Sequence, residues 1–128
     1  MTLIASGRSE ATVPTTDLRQ ARRFYGDTLG LPASGAHADG ADIVYTVGET
    51  ELMVYERPGP LAPSAQHTVA HFVVDDVHAA VRELRERGVE FDEYDLPELK
   101  TDDGVVTIAG RDFAWMKDPD GNVLGVHS

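Results

Sequence analysis

The stretch DLRQARRFYGDTLGL (Asp17–Leu31) decides how the chain is read. Asp17 is a good helix N-cap, because its carboxylate can accept an amide hydrogen two or three residues on. Leu18, Ala21, Tyr25 and Leu29 then recur at helical spacing, with Phe24 beside them, so one face is apolar. Gly30 suits a left-handed cap and Pro32 blocks continuation, which predicts a helix from Asp17 to about Leu29. A short β-like run (Ala11, Thr12, Val13) lies just upstream, within Glu10–Pro14.

Downstream of that helix three strands are predicted. They are a short one near Ala33–Ala38, then Asp42–Val47 ending at a Gly48-Glu49 turn, then Thr50–Glu56. In the last of these, Leu52 and Val54 alternate with Met53 and Tyr55. Residues 57–67, with Pro58, Pro60 and Pro63, show no periodicity and read as a linker. The pattern then restarts. Thr68–Val74 reads as a buried strand, and Asp75 or Asp76 caps a second helix with Val77, Ala80, Val81 and Leu84 as its apolar stripe and Gly88 as its end. Arg82/Glu86 and Glu83/Arg87 are spaced for i,i+4 pairs on its wet side. Val89–Tyr94, Val105–Ile108, Asp112–Lys117 and Asn122–Val126 follow as strands, the last two around an Asp120-Gly121 turn. Strand, helix and three strands therefore occur twice, an internal repeat of about 60 residues. The expectation is one α+β domain over 1–128, with βαβββ modules at 10–56 and 68–127.

Composition narrows the function classes. A chain of 128 residues suits one domain, burying roughly two-thirds of its unfolded surface. The absence of cysteine removes disulfides and thiolate metal sites. No apolar run has signal-peptide or membrane-spanning length, so a cytoplasmic protein without a membrane partner is expected. A formal charge of −11 with no basic stripe argues against nucleic acid as a partner. No glycine-rich phosphate loop is present, and no nucleophile elbow surrounds Ser6, Ser9, Ser34, Ser64 or Ser128.

Three segments resemble the glyoxalase/bleomycin resistance protein/dioxygenase (vicinal oxygen chelate) superfamily: DLRQARRFYGDTLGL (Asp17–Leu31), HFVVDDVHAAVREL (His71–Leu84) and DPDGNVLGV (Asp118–Val126). With the linker, the resemblance runs from about Glu10 to His127. It implies paired βαβββ modules curling into a barrel-like mixed sheet, helices outside, a ligand in the cup between modules, and commonly a homodimer. Most of the matching residues have structural roles: Phe24, Tyr25, Leu29 and Leu31 pack a helix on a sheet, and Asp118–Gly121 build a turn. The resemblance therefore identifies a scaffold and leaves the chemistry open.

Metal-dependent members hold a divalent cation (Zn, Fe, Mn or Ni) with His and Glu side chains from four strands, as a Lewis acid for adjacent substrate oxygens. Counted from the nearby motifs, the corresponding positions here are Glu10, Met53, Val69 and Gly125. Of these, Glu10 alone offers a suitable ligand, so the resemblance without its usual donors implies no metal cofactor. His71 and His127 each lie two residues beyond a lost position and so on the same strand face. A displaced site of Glu10, His71 and His127 is the alternative. A Glu10/His71 acid–base pair acting on an acidic C–H centre is the catalytic candidate without metal. His37, His67 and His78 read as solvated.

The leading expectation is a metal-independent protein that binds a small, drug-like or aromatic molecule. Its wall would be Glu10, Thr12, Met53, Tyr55, Val69, His71, Trp115, Gly125 and His127, apolar with a few polar groups as ligand pockets are. Gly125 and Val69 would leave room, and Trp115 or Phe113 could stack on a flat ligand while at least one of them packs the core. Enzymatic activity stays open. The competing reading is a metal-dependent lyase, isomerase or ring-cleaving dioxygenase, and a third is a structural or interaction module.

Overall fold

Alternation along the strands fixes which face each sheet buries. In β1 (Ala11–Thr15) Val13 and Thr15 are buried, while Ala11 and Thr12 are exposed. The computed structural model describes residues 2–35, 40–57, 59 and 67–128. Within the first module β2 (Ala33–Gly35), β3 (Asp42–Val47) and β4 (Thr50–Glu56) complete a four-stranded sheet of order β1-β4-β3-β2, with β1 parallel to β4 and the other pairs antiparallel. The second module repeats that order with β5 (Thr68–Val73), β8 (Val106–Ile108), β9 (Arg111–Lys117) and β10 (Val123–His127), as β5-β10-β9-β8. The repeat inferred from pattern is thus a repeat of topology, down to the one parallel pair in each sheet.

Helix α1 (Leu18–Ala21) starts as expected, with the Asp17 carboxylate accepting from the amides of Arg19 and Gln20. It widens into a π-helical segment, Arg22–Thr28, closed by a 2.8 Å bond from the Leu29 amide to the Phe24 carbonyl. Helix α2 (Val77–Glu86) is capped by Asp76, not Asp75. Gly30 and Gly88 take positive φ (73° and 92°), the conformation that lets each helix end sharply. Among the described residues no helix is long and apolar enough to cross a membrane.

One core joins the modules: Val13, Ile43, Tyr45, Leu52 and Val54 from the first sheet, Ala70, Ala114, Met116, Leu124 and Val126 from the second, and Ala21, Tyr25, Val77 and Val81 from the helices. Burying a side chain of this size contributes roughly 1.5–3 kcal/mol. The DPDGN segment proves to be a clasp as well as a turn. The Asp120 carboxylate accepts from the Thr15 hydroxyl (2.6 Å) and the Thr16 amide (3.0 Å), and the Asn122 amide nitrogen donates to the Pro14 carbonyl (2.9 Å). Asp118 accepts from the buried Tyr25 hydroxyl at 2.6 Å. The end of the second module is thereby tied to β1 and to the first helix.

Several expectations need correction. The sheet is not one barrel-like surface: β1 and β5 lie side by side, but among the described residues no ladder joins the two sheets. Val89–Tyr94 is not a strand. Val89 and Phe91 are buried, yet a single bridge from Phe91 to Met116 is the extent of its pairing. A short hairpin of β6 (Asp95–Leu96) and β7 (Leu99–Lys100) follows it instead. The i,i+4 pairs on α2 do not form. Arg87 turns to the Asp27 and Thr28 carbonyls at the end of the π-helical segment, where a cation meets the negative end of a helix. Most of the linker, and the second half of the strand placed near Ala33–Ala38, lie outside the described residues.

Candidate ligand-binding site

The strand faces turned away from the helices carry the residues singled out from sequence. In the first sheet Thr12 pairs with Met53 and Pro14 with Tyr55, so alternation puts all four on that face. In the second, Gly125 lies opposite both His71 and Trp115, and His127 opposite Val73 and Phe113. Val69 shares the face, two residues before His71. Eight of the nine predicted wall residues are therefore gathered on the two strand faces; Glu10 is the exception, exposed and one residue outside the ladder of β1.

On the second sheet the rings form a continuous row. Tyr94 meets Trp115 edge-on at 5.5 Å between centroids, Trp115 and Phe113 are nearly parallel at 6.1 Å, and Phe113 lies 5.4 Å from His127. His127 meets His71 at 4.8 Å, edge to face. Neither Trp115 nor Phe113 packs the core; their strand buries Ala114 and Met116 on its opposite side. The row ends in hydrophobic exposure at Val73 (71%) and Ile108 (46%). Single exposed apolar residues are ordinary, but rings and aliphatics contiguous along one sheet face are what a binding surface offers.

Gly125 does not leave open room. A side chain there would place its Cβ 2.8 Å from His71 Nδ1 and 3.0 Å from Cε1, so the imidazole already lies over the glycine. Arg111 closes the far end of the row, its guanidinium 5.3 Å above the Phe113 ring. One Nη of Arg111 is 2.9 Å from His127 Nδ1, and its Nε donates to the Ser128 carbonyl at 3.0 Å. A guanidinium does not give up its proton, so in the Arg111 contact His127 Nδ1 accepts and the ring hydrogen sits on Nε2; the same Nδ1 also lies 3.0 Å from the Ser128 main-chain oxygen, the contact that the other tautomer would use as a donor. Sequence reasoning missed Arg111 and Tyr94. Arg111 is two and four residues before Phe113 and Trp115, a spacing that marks the same face; Tyr94 had been assigned to a strand that does not form.

Withdrawal from water against Gly125, then the nearby His127 and Arg111, holds the His71 imidazole below its ordinary pKa. A depressed folded-state value means that the folded protein resists taking up a proton which the unfolded chain accepts. The His71 contribution to stability is then full above the unfolded value and is lost as pH falls through the folded one. Chemical unfolding at pH 7.5 and 5.5 is expected to show a smaller stability difference in a His71→Asn variant than in the wild type. Equal differences in the two proteins would remove His71 as the proton-coupled group.

The residues at the family's metal positions do not fit a divalent ion. Met53 offers a thioether, Val69 offers nothing, and the place of a side chain at Gly125 is taken by His71. Nor is the displaced triad assembled: among the described residues no group of three or more His, Cys, Asp or Glu is gathered for a metal, and Glu10 has no hydrogen bond to either histidine. β1 begins after Glu10, so nothing pins its carboxylate towards β5 and β10. The Glu10/His71 acid–base pair lacks contact for the same reason. His67 and His78 are exposed, His78 lying 3.7 Å from Asp112, and His37 lies outside the described residues.

Two cavities lie on the other, helix-facing side of the sheets. One of about 140 Å³ is lined by Leu29, Leu31, Phe72, Leu84 and Met116, with Glu83 as its one ionisable lining group. The other, about 600 Å³, opens beside Arg22, Asp27, Ser34 and Tyr45. Neither contains a residue of the aromatic row, and the first has too few polar groups to orient a ligand.

Two four-stranded sheets of identical strand order, helices on one face and a ring-lined surface on the other, define a paired-module binding fold. The chain belongs to the Glyoxalase/Bleomycin resistance protein/Dioxygenase superfamily, whose family model matches residues 8–126. A bleomycin-binding protein solved in complex with bleomycin is similar in fold, with TM-score 0.71 and 21% identity over 95% of this chain and 98% of that one. A glyoxalase/bleomycin resistance protein from Streptomyces sp. CB03234 is 27% identical, with TM-score 0.65 over 94% of this chain and 100% of that one. UcmS2 superposes with TM-score 0.73 at 19% identity, covering 94% of this chain and 97% of that one. No curated protein matches the sequence.

Proposed function

We propose that this protein binds a small, partly aromatic molecule on the strand face of its second sheet, without a metal, and that the ligand is held and not transformed. The carrying observation is the row Tyr94–Trp115–Phe113–His127–His71, whose rings lie 4.8–6.1 Å apart. Stacked and edge-on aromatic pairs stabilise by about 0.5–1.5 kcal/mol each beyond area burial, so such a row suits a flat guest. Thr12, Met53 and Tyr55 add a first-sheet patch with one thioether and two hydroxyls. Metal independence is supported by the donor set, in which Met53, Val69 and Gly125 replace ligating side chains. The homodimer is part of this reading, because β2 and β8 are short free edges and the ring face is open in one chain. A cytoplasmic location is also part of it, supported by the absence of cysteine.

Trp115 is the single tryptophan, so its fluorescence reports the site directly. Titration with small planar aromatics is expected to quench or shift that emission in protein stripped of metal by chelation. Trp115→Leu or Phe113→Leu is expected to weaken binding at least about tenfold, the equivalent of about 1.4 kcal/mol, when followed by calorimetry. Binding that appears only after a divalent ion is restored would overturn metal independence. Turnover of the bound molecule would overturn the non-catalytic reading.

A further inference from the structure

We propose that the molecule held on this face is a flat aromatic bearing an anionic oxygen, with its ring against Trp115 and Phe113 and its charge at Arg111, His127 and His71. This rests on the ring face being the ligand site and adds which chemical class that face selects. With a formal charge of −11, carboxylates are plentiful. Arg8, Arg85, Lys100 and Lys117 each pair with one, at 2.6, 2.8, 3.9 and 2.8 Å. Arg111 meets no Asp or Glu side chain within ion-pair distance among the described residues; its contacts are the Phe113 ring, the His127 nitrogen and the main-chain oxygen of Ser128. Two of its five N–H groups are occupied and three remain.

The imidazoles complete the anion's surroundings. With Nδ1 of His127 accepting from Arg111, its Nε2–H is a donor with no hydrogen-bond partner among the described residues. His71 stands against the same ring at 4.8 Å, and its proton uptake, opposed first by withdrawal from water and then by His127 and Arg111, is eased by a negative charge arriving beside it. A guanidinium, an N–H donor and a ring that can take a proton converge at one end of an aromatic row. A cationic guest would meet the Arg111 guanidinium there. The acidic field of the rest of the chain acts across solvent and is screened within about 8 Å at physiological ionic strength, so contact chemistry decides.

Calorimetric titration with three naphthalenes of one shape tests this: 2-naphthoate, 2-naphthamide and 2-naphthylmethylammonium. The expected result is naphthoate binding at least about tenfold tighter than naphthamide, the scale of one charge-assisted hydrogen bond, and the ammonium weakest. In Arg111→Gln that preference should shrink to about twofold or less, with Arg111→Lys keeping part of it because the charge remains while the planar fork is lost. 2-Naphthol titrated at pH 7 and 10.5 separates the carboxylate from the ionised phenol as the source of the anionic oxygen; tighter binding at the higher pH shows that the phenolate serves. Equal affinities for naphthoate and naphthamide, preference for the ammonium, or a preference that survives in Arg111→Gln would each overturn the anion proposal while leaving the ring site standing. Failure of all three probes to bind would overturn the ring site itself, and the anion proposal with it.

Discussion

Asp118→Ala is expected to lower the stability of the fold by about 3–5 kcal/mol, the range for stripping a buried charge network of one partner. The carboxylate, 6% exposed, accepts four hydrogen bonds: from the amides of Asp120 (3.0 Å) and Asn122 (2.9 Å), the Asn122 side chain (2.8 Å) and the Tyr25 hydroxyl (2.6 Å). Alanine removes the acceptor of the Tyr25 hydroxyl, on a fully buried ring, and one of the acceptors of the Asn122 side-chain amide. Burial and the Asp118 charge both raise the Tyr25 pKa, so the phenol remains a donor at any pH where the protein is handled. Tyr25→Phe removes one bond and keeps the ring, for a smaller loss of about 1–2 kcal/mol. Thermal unfolding should therefore rank wild type above Tyr25→Phe above Asp118→Ala, the last melting roughly 10 °C or more below wild type. A Asp118→Ala loss under about 1 kcal/mol would mean that the clasp does not hold the modules together.

The scaffold was legible because its determinants are local. Asp17 and Asp76 cap their helices, Gly30 and Gly88 end them, and alternation in Asp42–Val47 and Thr50–Glu56 gives both strands with the bounds they have in the structure. Val89–Tyr94 misled for a physical reason. Its buried Val89 and Phe91 look like a strand's inner face, but they plug the core beside Met116, where pairing stops at the one bridge from Phe91 to Met116 among the described residues. The π-helical widening at Arg22–Thr28 leaves no mark on apolar spacing, since Tyr25 and Leu29 point inward in either coil. The i,i+2 rule puts Thr12, Met53, Tyr55, Val69, His71, Trp115, Gly125 and His127 on the strand faces turned away from the helices, and the strand register does the same. What it cannot carry is convergence across strands: Glu10 drops out because it precedes the ladder, and Arg111 enters because β9 begins one residue earlier than Asp112. DPDGN reads as a turn from its own residues, whereas its partners Thr15, Thr16 and Tyr25 are about a hundred positions away in sequence.

Gly125→Val is expected to cost about 1–3 kcal/mol in the wild-type background and to be neutral or stabilising alongside His71→Ala. Valine is the better strand residue, worth roughly 0.5–1 kcal/mol over glycine where space permits, so the sign is set by what occupies the space. A Cβ at this position meets His71 Nδ1 at 2.8 Å and Cε1 at 3.0 Å, and Thr68 Cγ2 only at 3.4 Å. The imidazole is the obstacle, and it can move only by leaving its edge contact with His127. A double-mutant cycle on unfolding free energy should therefore give a coupling of at least about 1 kcal/mol between the two positions. Additive effects would show that His71 does not rest on Gly125 in solution. The same coupling explains the altered interior. Where the family pattern has a glutamate, any side chain would compete with His71 for one volume, so the histidine row and a carboxylate ligand at Gly125 are mutually exclusive uses of this strand face. Gly125→Glu is accordingly expected to displace His71 and weaken aromatic binding, and, with Met53 and Val69 unchanged, to supply too few donors to hold a divalent ion.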